Sequence, residues 1–372
     1  MKFASERDQL VEALTTAGRA VNPRSAIAGA MGGVRLEVRG NRLTLVGTDL
    51  DLTVTVDIGV GGLDDGVCVA PARLVSDIVR TLEPSTVTFA AADDDLEITA
   101  DRARFVVRTY PVADFPSVAE HRPAQVTFPA GDLAEALRQV VPAASTDDTR
   151  QMLTGVLFVR EPTGLRLVAT DSYRIAWRDL PSGVDLPGDT EQVLVPARTL
   201  REIQRLLASS AKELPAATLG FSAGEHDATF STDGVHLTTR LLAGLFPDYH
   251  KLVPPEYPTS VRVDKVALLD ALRRVKLLVS DDTTPVRLTI SENAIDLAVQ
   301  SQDVGYSSDT VTAHLEGEEA TVAFKPAYLI DGAEAVAGDE VILDVLGATK
   351  PTTVRCEGHD EYRYLLMPIR TS

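Results

Sequence analysis

Two patterns of apolar and polar residues alternate along this chain, and each predicts a different kind of element. In residues 34–38 (Val-Arg-Leu-Glu-Val) every second residue is apolar, whereas Leu10 and Leu14 stand four positions apart. Strict alternation is typical of a strand with one buried face, and a spacing of four is typical of a helix that packs one face on a sheet. The chain is therefore predicted to combine helices with half-buried strands.

The alternating runs occur in pairs, and each pair follows a predicted helix. The pairs begin at Val34, Val156 and Val286, and short polar linkers such as residues 39–41 (Arg-Gly-Asn) separate their members. Two such runs joined by a short polar linker predict a β-hairpin. The helix before each pair carries leucines four residues apart: Leu10 and Leu14, Leu133 and Leu137, Leu268 and Leu272.

A second predicted helix in each copy starts at a proline that follows a short apolar run. The starts are Pro71-Ala72-Arg73 and Pro196-Ala197-Arg198, and a third version is Lys325-Pro326-Ala327. Proline suits the first turn of a helix because its missing N–H has no partner to lose there. Since the three starts keep register with the hairpins, they predict a tandem architecture.

Each copy is predicted to contain a strand, a helix and three strands, twice over. The fold class expected is α+β, with a βαβββ module of roughly 60 residues used six times, because a module this small buries little surface until modules stack. Residues 117–123 and 253–260 are rich in proline and polar residues, as linkers tend to be. The predicted domains are residues 1–120, 121–254 and 255–372, close to the common domain size.

Composition narrows the class of protein. Aromatic residues make up only 5% of the chain, so aliphatic cores are expected. No apolar run approaches the ~20 residues of a membrane span, and residues 1–6 carry an acid where a signal peptide would be apolar. Cys68 and Cys356 lie in different copies, which favours reduced thiols and a cytoplasmic chain. The net charge of −18 taken alone argues against nucleic-acid binding.

No catalytic or metal-binding pattern is present in the sequence. The six histidines are dispersed, neither cysteine has a CxxC partner, and there is no phosphate-binding GxxxxGK loop or GxSxG elbow. Asp93, Asp94 and Asp95 lie between two strand-like runs, so a hairpin tip is favoured over a cation site. We therefore expect no enzyme activity, no metal and no cofactor.

Several short motifs, taken in order, resemble the bacterial DNA polymerase III beta subunit, the sliding-clamp family. They are residues 47–50 (Gly-Thr-Asp-Leu), 169–174 (Ala-Thr-Asp-Ser-Tyr-Arg), 246–249 (Phe-Pro-Asp-Tyr) and 364–370 (Tyr-Leu-Leu-Met-Pro-Ile-Arg). The resemblance covers the whole chain and implies three clamp domains. It also implies a homodimeric ring of two chains joined head to tail, with helices lining the hole and antiparallel sheets outside.

The resemblance further implies what the ring does. Double-stranded DNA of any sequence would pass through the hole, and the ring would tether the DNA polymerase III alpha subunit, the clamp loader and other replication and repair proteins. Because a closed ring holds DNA topologically, a mildly positive bore is enough, and a strongly basic bore would slow sliding. This reconciles DNA as a partner with the acidic net charge.

Arginines on the predicted helices are candidates for facing DNA, and so is Arg24 in the loop after the first helix, which resembles the family's DNA-contacting loop arginine. Arg73 and Arg198 lie in first helical turns, where a cation is unfavourable beside the helix dipole. A phosphate partner would explain this, and so would a neighbouring carboxylate. Ordinary solvated surface remains the alternative for the whole expected set: Arg24, Arg73, Arg80, Arg138, Arg198, Arg201 and Arg205.

A pocket for partner peptides is implied between the second and third copies. Its apolar residues would form the floor, and Tyr173, Arg174 and Arg370 would fix a peptide carboxylate or backbone. Simple packing of a domain junction is the alternative. The residues carried across are Leu153, Thr170, Ser172, Tyr173, Arg174, Ile175 and Pro247, followed by Leu365, Leu366, Met367, Pro368, Ile369 and Arg370.

The dimer contact is expected between the first copy of one chain and the third copy of the other. Leu277 and Leu278 match the family's apolar contact, and Phe105, with Arg102 and Arg104 nearby, would oppose them. Packing of the two leucines into the core of their own helix is the alternative.

Three other functions compete with the main hypothesis. A trimeric clamp like proliferating cell nuclear antigen uses two domains per chain, so three copies argue against it. A duplicated clamp paralogue that mainly binds partners or inhibitors would keep the same pocket. An enzyme is disfavoured because no catalytic cluster is present.

Overall fold

The computed structural model describes residues 1–21, 28–118, 121–162, 164–210, 217–252, 254, 256–281, 283–301 and 303–370. Arg24, one of the expected DNA-facing residues, lies outside these residues. In the first copy the strands are β1 Lys2–Glu6, β2 Gly33–Arg39, β3 Arg42–Thr48, β4 Leu52–Gly59, β5 Gly61–Asp64, β6 Gly66–Pro71, β7 Thr86–Ala92, β8 Asp95–Ala100 and β9 Ala103–Arg108. The helices are α1 Arg7–Gly18, the short α2 Ala28–Met31, and α3 Ala72–Thr81.

The second copy repeats this order without the two short additions, α2 and β5. Its strands are β10 Val126–Pro129, β11 Gly155–Glu161, β12 Gly164–Thr170, β13 Arg174–Asp179, β14 Gln192–Pro196, β15 Thr218–Ala223, β16 Asp227–Thr232 and β17 Val235–Arg240. Its helices are α4 Ala130–Val140 and α5 Ala197–Ser210.

The third copy has the same order again. Its strands are β18 Thr259–Asp264, β19 Val286–Ser291, β20 Ala294–Ser301, β21 Gly305–Gly317, β22 Ala320–Phe324, β23 Glu340–Val345, β24 Thr352–Arg355 and β25 Tyr362–Leu366, with helices α6 Lys265–Val275 and α7 Pro326–Ala335. The doubled βαβββ module predicted from the sequence is therefore confirmed in all three copies. Pro326 opens α7 as predicted, whereas Pro71 and Pro196 lie one residue before α3 and α5, at the ends of β6 and β14.

The chain divides into two compact units. Unit 1 comprises Met1–Pro129 and Ala216–Leu241, and unit 2 comprises Ala130–Pro215 and Leu242–Ser372. Unit 1 holds a five-stranded sheet, β5-β1-β7-β8-β9, and an eight-stranded sheet, β10-β15-β16-β17-β4-β3-β2-β6. Unit 2 holds a twelve-stranded sheet, β14-β11-β12-β13-β25-β24-β23-β18-β21-β20-β19-β22.

Neighbouring copies join edge to edge at two equivalent places. In unit 1, β4 of the first copy pairs antiparallel with β17 of the second, with Val56 opposite Val235. In unit 2, β13 of the second copy pairs antiparallel with β25 of the third, with Ile175 opposite Leu365. Each junction therefore lies beside the same strand of a module, which gives two comparable surfaces.

The cores lie between the helices and one face of each sheet. Helix α1 packs on β3 and β4, and side chains such as Leu45 and Val54 are buried there. Most core side chains are aliphatic, as expected, but phenylalanines also contribute: the rings of Phe3 and Phe89 stack with centroids 5.0 Å apart. We call the sheet face away from the helices the outer face.

Two features bear on what was expected from the sequence. Asp93 and Asp94 form the two-residue tip of the β7–β8 hairpin, and Asp93 adopts φ +50, so the predicted hairpin tip is confirmed. Within the described residues, no group of three or more histidine, cysteine, aspartate or glutamate side chains could hold a metal ion. Among the same residues, no helix has both the length and the apolar character that a membrane crossing requires.

Candidate functional site

A patch of apolar side chains covers the outer face of β11, β12, β13 and β25. Leu157 lies opposite Val168, and Val168 lies opposite Trp177 on the next strand. Because side chains alternate between the faces of a sheet, these residues share a face, and the opposite face packs on α4. We call this patch the outer cluster; it consists of Leu157, Val168, Ile175, Trp177, Leu194, Tyr249 and Leu365, with Met152, Val159, Leu242 and Phe246 packed against it.

The rim of the outer cluster leaves large apolar side chains open to solvent. The exposed fractions of Tyr173 and Met367 are 58% and 41%. The Met367 N–H donates to the Tyr173 carbonyl at 2.8 Å, and the Ile369 N–H donates to the Ala323 carbonyl at 2.7 Å. The first bond fixes the C-terminal segment against the 170–174 loop and the second fixes it against β22, so the rim is open but its backbone is held.

The 170–174 loop is closed by its own threonine and aspartate. The Thr170 hydroxyl donates to the Arg174 carbonyl at 2.8 Å, and Asp171 Oδ1 accepts from the backbone N–H groups of Tyr173 and Arg174 at 2.9 and 3.0 Å. Ser172, held between them, adopts φ +80. Thr170 is buried, so it shapes the loop from within.

The first copy closes the corresponding loop with the same bonds. The Thr48 hydroxyl donates to the Leu52 carbonyl, and Asp49 Oδ1 accepts from the backbone N–H groups of Asp51 and Leu52. Leu50 adopts φ +78, where the second copy has Ser172. The Thr-Asp pair that residues 47–50 and 169–174 share is thus a loop-closing motif in both copies.

The Arg174 guanidinium lies beneath this loop and is 8% exposed. Nε donates to Asp171 Oδ2 at 3.0 Å, Nη1 donates to the Asp331 carboxylate and to the Tyr364 hydroxyl, and Nη2 donates to the Pro142 carbonyl at 2.5 Å. The partners come from both the second and the third copies. Arg174 therefore supports the loop from beneath, and its expected contact with a peptide carboxylate or backbone stays a prediction.

Electrostatics keep this buried arginine charged. Burial by itself lowers the pKa of Arg174, but Tyr364, Asp331 and Asp171 outweigh that effect and raise the pKa above its ordinary value. The guanidinium also stacks over the Tyr328 ring, 4.0 Å from its centroid. A cation with these partners fixes the loop to α7 and β25.

A polar border lies along one side of the outer cluster. Arg166 donates through Nε and Nη2 to Asp179 at 2.5 and 2.9 Å, and the Tyr249 hydroxyl donates to Glu161 Oε1 at 3.0 Å. Burial raises the pKa of Tyr249 to about 12, so its hydroxyl stays protonated and keeps donating. The border can offer hydrogen bonds to a peptide backbone beside an apolar floor.

The remaining expected pocket residues differ in their surroundings. Ile175 and Leu365 are buried in the outer cluster, and Leu153 is buried at the end of the 3₁₀ turn Asp148–Leu153. Leu366 alternates to the other face and lies fully buried in the core opposite Arg174. The others have part or most of their surface exposed: Ser172, Tyr173, Pro247, Met367, Pro368, Ile369 and Arg370.

Most residues of the outer cluster, which forms the floor of the site, were not predicted from the sequence. Trp177, Val168, Tyr249 and Leu242 belong to it and were not expected there. One signal was available, because Trp177 stands two residues after Ile175 and alternation puts both on the same face of a strand. The contribution of Tyr249 and Leu242 depends on a long connection that returns to the sheet, which periodicity does not reveal.

Arg138, one of the expected DNA-facing residues, caps a helix. Its Nη1 donates to the Glu334 carbonyl at 3.1 Å and its Nη2 to the Ala335 carbonyl at 3.0 Å, both at the end of α7. Gln139 Nε2 donates to the same Ala335 carbonyl at 2.8 Å. A cation is favourable beside the negative end of the helix dipole. Arg138 thereby ties α4 of the second copy to α7 of the third.

Five other arginines of the set lie on helix surfaces. Arg80 Nη1 is 3.2 Å from Asp77 Oδ1, and Arg73 Nε is 3.8 Å from Asp77 Oδ2, so a carboxylate accompanies the cation in the first turn of α3. Arg205 pairs with Glu202 one turn away. Arg198 and Arg201 are exposed on α5. Exposed pairs of this kind contribute little to stability, so these side chains can exchange partners readily.

Comparison with known proteins agrees with this architecture. Family models for the N-terminal, central and C-terminal domains of the DNA polymerase III beta subunit match residues 1–119, 127–248 and 250–370. A protein from Streptomyces coelicolor named beta sliding clamp is 32% identical, and the match spans 100% of both chains.

Solved structures give the same result. A DNA polymerase sliding clamp from Bacillus subtilis has a TM-score of 0.91 at 27% identity, and a sliding clamp from Bartonella birtlesii bound to griselimycin has a TM-score of 0.92 at 28% identity. Each match spans 100% of both chains. The fold is thus that of the DNA clamps, with three tandem clamp domains of mixed helix and antiparallel sheet. The chain belongs to the DNA polymerase III beta subunit family.

Proposed function

We propose that this chain is a DNA sliding clamp, a non-catalytic processivity factor that encircles double-stranded DNA in the cytoplasm and holds the replicative polymerase on it. The observation that carries the proposal is the full-length match to proteins named beta sliding clamp. The polymerase alpha subunit, the clamp loader and other replication and repair proteins are the proposed partners. Domain boundaries at residues 1–120, 121–254 and 255–372 are part of the proposal.

Two chains form the proposed ring, joined by a projecting leucine and a cavity. Leu277, in the 3₁₀ turn Lys276–Leu278 after α6, is 84% exposed, which does not fit the alternative that it packs into the core of its own helix. Phe105 lies on β9, the last strand of the five-stranded sheet, and borders a cavity of about 620 Å³. Leu277 and Leu278 of one protomer would enter that cavity in its partner.

Strand edges support the same contact. Residues 313–317 of β21 pair with β18, whereas residues 305–312 pair only with β20 among the described strands. Strand β9 is likewise paired only with β8 within its sheet. An unpaired edge is a template for pairing with another chain. Arg102 and Arg104 near β9 and Asp309 on β21 would then face each other as opposite charges.

Solution mass tests the ring. Light scattering across a dilution series should give twice 39.9 kDa for the native chain, and Leu277→Arg should give the monomer mass. Val266→Arg, at another exposed apolar residue of the same helix region, is the matched control and should remain a dimer. A native chain that is monomeric at every concentration would exclude the two-chain ring.

The helices would line the hole, with Arg24, Arg73, Arg80, Arg138, Arg198, Arg201 and Arg205 as the proposed DNA-facing arginines. Arg138 would have the smallest part in this because its guanidinium caps α7. Reversing Arg80, Arg201 and Arg205 to glutamate should lower the residence time of the loaded ring on circular DNA without changing its mass. An unchanged residence time would remove these residues from the proposed bore.

The outer cluster is the proposed docking site for partner peptides. Its apolar floor, held C-terminal segment and polar border suit an extended peptide with apolar anchors. Trp177 is the chain's single tryptophan and lies in the floor, so its fluorescence reports occupancy directly.

A paired substitution tests the docking site. Tyr173→Ala with Met367→Ala should weaken binding of a polymerase-derived peptide by about tenfold or more, because interface anchors commonly contribute at least 1–2 kcal/mol. Leu63→Ala, at a leucine that is 65% exposed in unit 1, is the control. Equal peptide affinity in the paired variant and the control would exclude the outer cluster as the site.

The alternative, a duplicated paralogue that mainly binds partners or inhibitors, is not favoured by the relatives described above. Polymerase assays separate the two, since a sliding clamp lengthens DNA synthesis per binding event and a paralogue of this kind does not.

A further inference from the structure

A second groove lies on the outer face of unit 1, and its chemistry is the opposite of the outer cluster. Strands β2, β3 and β4 form its floor, and its volume is about 600 Å³. Ligand sites in proteins commonly range from about 300 to 1,000 Å³. We call it the charged groove; it is lined by five charged side chains, Arg35, Glu37, Arg39, Arg42 and Asp57, and by the aromatic ring of Phe115.

The charged groove and the outer cluster are built on the same frame. Arg35 lies opposite Val46, and Val46 opposite Thr55, just as Leu157 lies opposite Val168 and Val168 opposite Trp177. Arg35 therefore occupies the place of Leu157, and Thr55 the place of Trp177. The same module thus presents an apolar floor at one junction of copies and a polar floor at the other.

The charges in the groove are arranged as a fixed set. Arg35 Nη2 and Arg39 Nη2 each lie 2.7 Å from a Glu37 oxygen, and Arg42 contacts Asp57 through Nε and Nη2 at 3.1 and 2.6 Å. Three guanidiniums face two carboxylates, which leaves a local excess of positive charge in a chain of net charge −18. The side chains of Arg39 and Arg42 are 81% and 64% exposed, so this excess is accessible.

The other end of the groove is apolar. Phe115 and Val46 pack together there with Val69, and Val118 covers them in part. Beside them the His121 ring stacks on His236, with centroids 3.6 Å apart, and closes the groove at the edge of β17. The groove therefore has arginine side chains at one end and an apolar surface at the other.

We propose that the charged groove binds an acidic segment of a partner protein, with its carboxylates on Arg35, Arg39 and Arg42 and one apolar side chain against Phe115. Arginine presents planar pairs of N–H donors that match a carboxylate, and Glu37 and Asp57 hold these donors in place. A row of phosphates suits the groove less well, because it would leave the apolar end formed by Val46, Val69 and Phe115 without an apolar partner. One chain would then carry two docking surfaces of opposite chemistry, and this inference does not depend on the proposed clamp function.

The test uses the full chain and an array of short fluorescent peptides in which aspartate and glutamate flank one leucine or phenylalanine. Binding is followed by anisotropy, and each peptide has a partner in which asparagine and glutamine replace the acids. At least one acidic peptide should saturate while its amide partner does not. Arg35→Glu with Arg42→Glu should weaken that binding by about tenfold or more, the size expected when like charges oppose each other.

Arg287→Glu, at an exposed position on β19 of unit 2, is the charge-reversal control outside the groove and should bind within about twofold of the native chain. Leu277→Arg and Tyr173→Ala with Met367→Ala should also bind the acidic peptide normally, which separates this inference from the proposed clamp function. The inference is overturned if no acidic peptide binds better than its amide partner. It is equally overturned if the double reversal and Arg287→Glu weaken binding alike, or if single-stranded DNA displaces the peptide and binds more tightly.

Discussion

Replacing Arg174 by methionine should destabilise unit 2 strongly. The change removes a buried cation and leaves the Asp171 carboxylate, which is 6% exposed, without its partner. Removing one member of a buried pair costs about 3–5 kcal/mol. The contact with Asp331 adds less, because that side chain is 35% exposed and water can replace the arginine there. We therefore expect a loss of about 3 kcal/mol in the free energy of unfolding, the lower end of that range.

Urea unfolding followed by Trp177 fluorescence measures this loss locally. Trp177 is the only tryptophan and lies three positions from Arg174 on β13, so its signal reports unit 2. In thermal unfolding, the same loss of about 3 kcal/mol would lower the Tm of a unit of this size by roughly 6–12 °C. Arg262→Met is the control, since Arg262 pairs with Glu340 and Glu357 at the surface and should lose less than about 1 kcal/mol. Equal losses in the two variants would refute the argument that Arg174 holds the second and third copies together.

Three further predictions follow from single residues. Gly332→Ala should lower the free energy of unfolding by about 1–3 kcal/mol, because the new Cβ would lie 2.6 Å from the buried Tyr364 ring. Thermal unfolding measures this loss. Burial raises the pKa of the Cys68 thiol to about 12, so iodoacetamide should leave it unmodified in the folded chain at about pH 8, as judged by mass spectrometry. Burial raises the pKa of Asp57, but hydrogen bonds from Arg42 and Thr44 outweigh it and hold the pKa below its usual range. Asp57 therefore stabilises the fold above its unfolded pKa of about 4, and this effect is lost as pH falls. The difference in unfolding free energy between the native chain and Asp57→Asn, measured by urea titration, should narrow toward about pH 3.

Each of these has a direct check. Gly131→Ala, in α4 where nothing lies within 4 Å of the new Cβ, should be neutral or stabilising, and an equal loss at both glycines would contradict the argument from Tyr364. Unfolding in urea should make Cys68 reactive, and rapid labelling without urea would show that the thiol is not buried. If the stability difference between the native chain and Asp57→Asn widened as pH fell, the direction of the pKa shift assigned to Asp57 would be wrong.

The sequence by itself determined the elements and their repetition. Alternation in residues 34–38 and the leucine spacing of α1, α4 and α6 are local properties, because the face on which a side chain lies depends only on its position in a strand or helix. The proline-led starts of α3, α5 and α7 are local for the same reason. The Thr-Asp loops were visible as repeated letters, and their bonds span only four residues, from Thr48 to Leu52 and from Thr170 to Arg174.

Tertiary structure decided which surfaces these elements form. The pairing of β4 with β17, and of β13 with β25, joins strands far apart in the chain, and it selects which outer faces become the charged groove and the outer cluster. Arg174 could be recognised as a motif residue, but its partners Asp331 and Tyr364 are 157 and 190 residues away. Its role under the site follows only once the fold brings those groups together. Register between distant strands depends on the packing of whole modules, and no local pattern encodes that packing.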